Sequence, residues 1–200
     1  MSDRAIQGEV LPVGGAGVVS TAWWGMACLI ATEAILFIYL IFSYAYLGTQ
    51  QQGPWPPDGP PSLKLALPNT AILIGSSILL GWGLRVFRRT RDKRRLALIL
   101  AGTLILGAAF VTIQGFEWAS KPFAFSTNAY SSIFFLLTGL HMAHVAAGLL
   151  MLLMLLVWTL MGRFDRGHHE HLALGALYWH FVDVVWIAVL TTVYLVPQFT

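Results

Sequence analysis

The sequence predicts an all-α fold: an integral membrane bundle of five transmembrane helices, N-terminus cytoplasmic and C-terminus outside. Three observations lead there. The 200 residues are 57% hydrophobic and only 10% charged, whereas a soluble domain carries about a quarter charged residues. Apolar runs of the roughly 20 residues needed to cross a bilayer occur five times along the chain. Basic residues crowd into the connections on one side only.

The five predicted spans are Thr21–Gly48, Pro68–Phe87, Leu96–Trp118, Asn128–Met161 and Leu172–Val196. The fourth exceeds what a bilayer requires, so it should tilt or project at one end. Between the second and third spans, Arg85, Arg88, Arg89, Arg91, Lys93, Arg94 and Arg95 face Asp92 alone, which makes this loop cytoplasmic and a partner for anionic lipid head groups. The fourth-to-fifth connection carries Arg163 and Arg166 and falls on the same side, while the opposite loops hold only Lys64 and Lys121. The outer segment QQGPWPPDGPPSLKLALPN is rich in Pro and Gly and should form a stiff strap.

Residues 1–200 read as a single transmembrane domain without an internal repeat. The N-terminal MSDRAIQGEVLPVGG lacks the short apolar core of a cleaved signal peptide. Cys28 is the lone cysteine, which excludes an intrachain disulfide, a CxxC redox pair and a CxxCH haem attachment. Walker, GxSxG, HExxH and dinucleotide glycine signatures are missing from the sequence, and nucleic acid is not an expected partner.

Chemistry is expected where apolar helices keep ionisable groups. A carboxylate at the centre of a spanning helix costs about 2.5–3.5 kcal/mol on insertion scales, so such groups face protein or water and carry a role. Counting at about 1.5 Å per residue puts Glu33, the His141/His144 pair and the His180/Asp183 pair near the middle layer. By the same count Glu117 lies close to the outer interface, as a solvated or Trp-associated anchor. Three-residue spacing sets His141 with His144, His180 with Asp183, and Gln114 with Glu117 on shared faces.

Polar contacts between the fourth and fifth spans are the simplest account. The small residues Gly139, Ala143 and Ala147 should let those helices approach closely. His180 and Asp183 serve either as a tether or in proton handling. Glu33 is either neutral through desolvation or lines a polar or lipid-filled cleft. Histidines on facing helices also admit a b-type cytochrome or a metal transporter using His141, His144 and His180. The HHEH run at 168–171 reads instead as solvated cytoplasmic surface.

Several motifs narrow these alternatives. YWHFVDVVW at Tyr178–Trp186 resembles the signature of cytochrome c oxidase subunit III and its haem–copper oxidase relatives. TGLHMAHVAAG at Thr138–Gly148 resembles that family's TGxHxxHVxxG helix, and QGFEW at Gln114–Trp118 its QxxEY segment. WPP at Trp55–Pro57, LPNT at Leu67–Thr70 and ATEAILF at Ala31–Phe37 resemble further family elements, all in family order. Trp118 departs from the family's usual Tyr, which removes that hydroxyl's hydrogen bond.

The resemblance implies a short bacterial form of a multi-pass inner-membrane subunit, without the first two helices of the mitochondrial one. It implies no catalytic residue, metal or cofactor in this chain, with haem and copper in partner subunits I and II. Direct contact with subunit I, bound phospholipid in an interhelical cleft lined by Glu33, and support of proton uptake follow from the same likeness. His141, His144, His180, Asp183, Gln114 and Glu117 then form a structural polar network. Small subunits and a respiratory supercomplex are further possible partners. Related chains also accompany quinol oxidases and nitric oxide reductases, and the residues do not separate these.

Overall fold

A computed structural model describes residues 20–162 and 169–199. The expectations placed on the N-terminal segment, Arg163, Arg166, His168 and the His169 side chain lie outside the described residues. Five helices follow in order: α1 Thr21–Gln50, α2 Leu63–Thr90, α3 Lys93–Ala119, α4 Ala129–Leu160 and α5 His169–Val189. All five are long and apolar enough to cross a membrane, and no strand occurs among the described residues. The chain is an all-α membrane bundle.

Local chemistry sets the helix starts. A side-chain oxygen that accepts an otherwise unpaired N–H stabilises the first turn. Ser20 accepts from Trp23 N–H, Ser62 from Lys64 N–H, and Asp92 from Arg94 and Arg95 N–H. Asn128 and Ser131 cap each other reciprocally at α4. These caps explain two departures from the predicted spans. Helix α2 begins at Leu63 and runs through Pro68, whose missing N–H costs one hydrogen bond near the helix start. The basic connection is mostly helix: α2 continues to Thr90 and α3 starts at Lys93. The reversal between them needs only Arg91, in the left-handed region at φ 55°, and the cap Asp92.

Helix α2 packs on α3, α3 on α4, α4 on α5, and α5 closes back onto α2. Helix α1 stands outside this ring of four, against α4 and α5. Its inward residues are few, namely Phe37, Leu40 and Tyr44. Lys93 Nζ donates to the Gly162 carbonyl at 3.2 Å, so the basic end of α3 lies beside the end of α4. At the opposite end Gln198 Nε2 donates to the Pro61 carbonyl at 2.9 Å, joining the chain's last turn to the proline-rich strap. The strap's Trp55 packs edge-on against Tyr44 and Tyr130, with ring centroids 5.4 and 5.2 Å away.

Trp179 of α5 is fully buried at the centre of the ring. Its indole lies between α3 and α4 at two glycines. A Cβ at Gly107 would stand 2.8 Å from Trp179 Cη2, and one at Gly148 2.9 Å from Trp179 Cε3. Close approach therefore depends on Gly107 and Gly148. The predicted stripe does not provide it, because Ala143 and Ala147 are exposed and only Gly139 meets a neighbouring ring, that of Trp118.

Candidate functional site

Apart from His141, the described acidic and imidazole groups inside the bundle fall into three clusters, each joining helices through named hydrogen bonds. The first joins α1 to α4. His144 Nε2 lies 2.9 Å from Glu33 Oε2, and His144 Nδ1 lies 2.8 Å from the Leu140 carbonyl oxygen. A carbonyl can only accept, so Nδ1 carries hydrogen. Two states then satisfy the 2.9 Å contact: a neutral imidazole accepting from a protonated Glu33, or an imidazolium donating to its carboxylate. One proton lies between the pair in either state. Tyr178 O–H donates to the His144 carbonyl at 3.3 Å, adding α5 to the contact. Glu33 keeps 27% of its side chain exposed, on the outer side of the ring.

The second cluster joins α3 to the end of α5. Glu117 is buried and accepts three hydrogen bonds. Oε1 receives Tyr194 O–H and Lys121 Nζ, each at 2.9 Å, and Oε2 receives Gln114 Nε2 at 3.2 Å. The Gln114/Glu117 pairing thus holds, but Glu117 is no solvated anchor. It is the acceptor at the centre of a buried network. Tyr194 reaches it from a widened π-helical turn, Leu190–Leu195, that continues α5. Lys121 Nζ also lies 5.1 Å from the Phe134 ring centroid and 5.7 Å from that of Tyr194, within the range of cation–π attraction.

The third joins α5 to α2. His180 Nδ1 and Ser77 Oγ share a hydrogen bond of 2.5 Å. Asp183 Oδ2 is 3.9 Å from the same nitrogen, and neither carboxyl oxygen has a hydrogen-bond partner. Two indoles flank this pair on the inner face: Trp179 Nε1 donates to Ser76 Oγ at 3.0 Å and Trp186 Nε1 to Thr70 Oγ1 at 2.9 Å.

Among the described residues, the expected α4–α5 polar contact comes down to the Tyr178 hydroxyl's bond to the His144 carbonyl, and the ionisable side chains turn to other helices. His144 turns to α1 and His180 to α2. His141 is fully buried with no hydrogen bond on either nitrogen, stacked on Trp186 at 4.9 Å and edged by the Phe110 and Phe37 rings. Three-residue spacing put His141 and His144 on neighbouring faces, and the fold gives those faces different neighbours. Ser77, Tyr194 and the two tryptophans were not singled out in sequence. The hydroxyls Thr70, Ser76 and Ser77 in an apolar run were the available signal, since each needs a polar partner or a carbonyl of its own helix. Among the described residues no three His, Cys, Asp or Glu side chains converge as a metal site.

Two of the lateral grooves on the surface of the ring carry polar residues. One of about 740 Å³ lies between α3 and α4, with Lys93, Arg94 and Arg95 at its mouth and Leu98, Ala101 and Leu156 below. The other, of about 530 Å³, runs between α2 and α5 past Ser77, His180 and Asp183 to Arg85. Arg88, Arg89 and Arg91 are exposed at the same end of the bundle.

The model of the family "Cytochrome c oxidase subunit III" matches residues 4–197. The chain belongs to this family. It is 36% identical to cytochrome c oxidase subunit 3 of Myxine glutinosa over 179 residues, covering 86% of this chain and 68% of the relative. A probable cytochrome c oxidase subunit 3 of Nocardia farcinica is 35% identical over 180 residues, with 86% of both chains covered. The Synechocystis subunit 3 is 35% identical over 176 residues, covering 86% of this chain and 74% of that one. As a subunit III, the chain is part of an oxidoreductase complex in a membrane. The Trp118 that departs from the family's usual Tyr packs on Phe135 and Gly139, and its Nε1 is buried without a hydrogen bond.

Proposed function

We propose that the chain is the non-catalytic subunit III of a proton-pumping cytochrome c oxidase in a bacterial plasma membrane. It braces subunit I by direct contact, alongside subunit II, and leaves haem and copper to those two. The observation that carries this reading is the Glu33–His144 pair. A 2.9 Å contact of this kind needs one proton between the two groups, and the Glu33 carboxyl is still partly exposed. Such a group can exchange a proton with a neighbouring path, or report local hydration to it, without redox chemistry of its own.

The imidazoles of the bundle interior support the reading in different ways. Both nitrogens of His144 are used, His180 Nδ1 is bound to Ser77, and His141 is enclosed by aromatic rings. Phospholipid is the second proposed ligand. The α3–α4 groove offers cations to an anionic head group and an apolar bed to its acyl chain, and the exposed flank of Glu33 meets lipid on the other side. Arg85, Arg88, Arg89 and Arg91 extend the cationic surface around the same end. Affinity purification from membranes tests the assignment: the chain should bring down haem-bearing subunit I and subunit II, with retained phospholipid. Recovery of the chain alone, or with haem bound to it, would overturn the reading. A subunit II lacking a copper domain would assign the chain to a quinol oxidase.

A further inference from the structure

The seam between α3 and α4 is hollow from its basic end to mid-depth. The groove with Lys93, Arg94 and Arg95 at its mouth runs down past Ala101 and Leu156. One helical turn further, a second hollow of about 570 Å³ continues between Leu104 and Ala108 of α3 and Ala146 and Leu153 of α4. Its walls are leucine, isoleucine and alanine alone. Arg95 and Ala108 are thirteen positions apart, about 20 Å at helical rise. That slightly exceeds half of the roughly 30 Å hydrocarbon core, so the channel has the depth of one leaflet. Toward the opposite face the chain fills the seam itself, where the Trp118 ring packs on Phe135 at 5.9 Å and meets Gly139.

The charge at the mouth is uneven. Arg94 has no side-chain partner among the described residues, and Lys93 Nζ meets the Gly162 carbonyl. The neighbouring Asp92 carboxylate is already taken by Arg95 at 3.1 Å and by the N–H groups of Arg94 and Arg95. A zwitterionic head group would bring an ammonium with no free carboxylate to receive it. An anionic phosphodiester leaves its whole charge for Arg94 and Lys93. Water finds no polar partner in the deeper hollow. A spanning helix needs the full depth of the bilayer, and the outer part of this seam is occupied by Trp118.

We infer that the α3–α4 seam seats one anionic diacyl phospholipid from the leaflet at the basic end, the cytoplasmic one by the positive-inside rule. Its phosphodiester lies against Arg94 and Lys93. One acyl chain follows Ala101, Leu104 and Ala108 to the bilayer midplane, in the room that Ala108 and Ala146 leave. The inference rests on phospholipid being a ligand of this chain and adds its head-group charge, its leaflet and its seat.

The test uses the assembled complex in nanodiscs, with phosphatidylglycerol or phosphatidylcholine carrying the same photoreactive diazirine near the end of an acyl chain. Phosphatidylglycerol should label the peptides holding Leu104 and Leu153 about fivefold more than phosphatidylcholine does. Arg94→Glu should bring that ratio below about twofold. Arg88→Glu, at an exposed cation of α2 outside the groove, should leave it unchanged. Ala101→Trp plugs the channel and should remove the label with either lipid. Should that variant lower the yield of the complex, Ala108→Trp, at an exposed position, blocks the deep end and decides instead. Equal labelling by the two lipids, a ratio that survives Arg94→Glu, or a plugged channel labelled like wild type overturns the inference. Label on other faces of the chain but none in the seam overturns the seat alone and leaves phospholipid as a ligand. A chain that takes no label at all, or purifies without haem-bearing subunits, overturns the proposed function beneath it as well.

Discussion

Glu33 and His144, 111 residues apart in sequence, meet at 2.9 Å between α1 and α4. Because His144 Nδ1 is committed to the Leu140 carbonyl, the pair shares a proton whichever side holds it. This makes α1 more than an anchor, since its one intramembrane acid is wired to the ring.

Glu33→Gln separates linkage from protonation. The amide can still donate to Nε2, so assembly yield and melting should stay close to wild type. The exchangeable proton is gone, and activity should decay faster during sustained turnover. An unchanged lifetime, read from oxygen consumption traces, would remove Glu33 from any role in proton supply. Glu33→Leu also loses the bond and should cost about 1–3 kcal/mol of stability.

Glu117 receives three donors, and their loss should be felt together. Glu117→Leu leaves Tyr194, Gln114 and Lys121 without their acceptor and should cost about 3–5 kcal/mol, as expected when one partner of a buried ion pair is removed. Tyr194→Phe deletes one bond and should cost about 1.5–3 kcal/mol, the range for a hydrogen bond to a charged group. Thermal unfolding in nanodiscs checks both. Equal losses would argue that the network is held by Tyr194 alone.

The glycines beside Trp179 give a packing test. Gly148→Ala places a methyl 2.9 Å from the indole and should destabilise by about 1–3 kcal/mol. Combining it with Trp179→Phe should recover part of that loss, though the Ser76 bond is then missing. Additive losses in the double variant would show that the methyl is accommodated elsewhere.

Asp92 caps the first turn of α3, its side chain accepting from the N–H groups of Arg94 and Arg95 at 2.9 and 3.2 Å. Asp92→Ala should cost about 1 kcal/mol through the lost cap. Asp92→Asn or Asp92→Ser should restore most of it. Its 3.1 Å ion pair with Arg95 is exposed and should contribute little, so raising salt should barely change wild-type melting.

Much of the fold was legible because span length and basic asymmetry are properties of single segments. Each of the five apolar runs lies on a helix, but the ends moved: α2 starts five residues early at the Ser62 cap and runs on to Thr90, α3 starts at the Asp92 cap, and α5 starts at His169 and turns π-helical after Val189. Partners were less legible. Periodicity gives the face of a residue along its own helix but not which helix stands opposite, and ring order is set by packing between segments far apart in sequence. His141 and His144 show the difference: one stacks on Trp186 while the other reaches Glu33. Glu117 was misjudged because depth was counted without the π-helical turn and Lys121 that enclose it. Gln114, three residues away, was read correctly because its partner lies on the same helix.

The ring of α2 to α5 closes without α1, which is held from one side by a few inward residues and the Glu33 contact. A panel fastened to a self-supporting wall can loosen while the wall stands. Harsh detergent should therefore strip the first segment before the rest unravels, and protease cutting within the strap should precede loss of overall helicity.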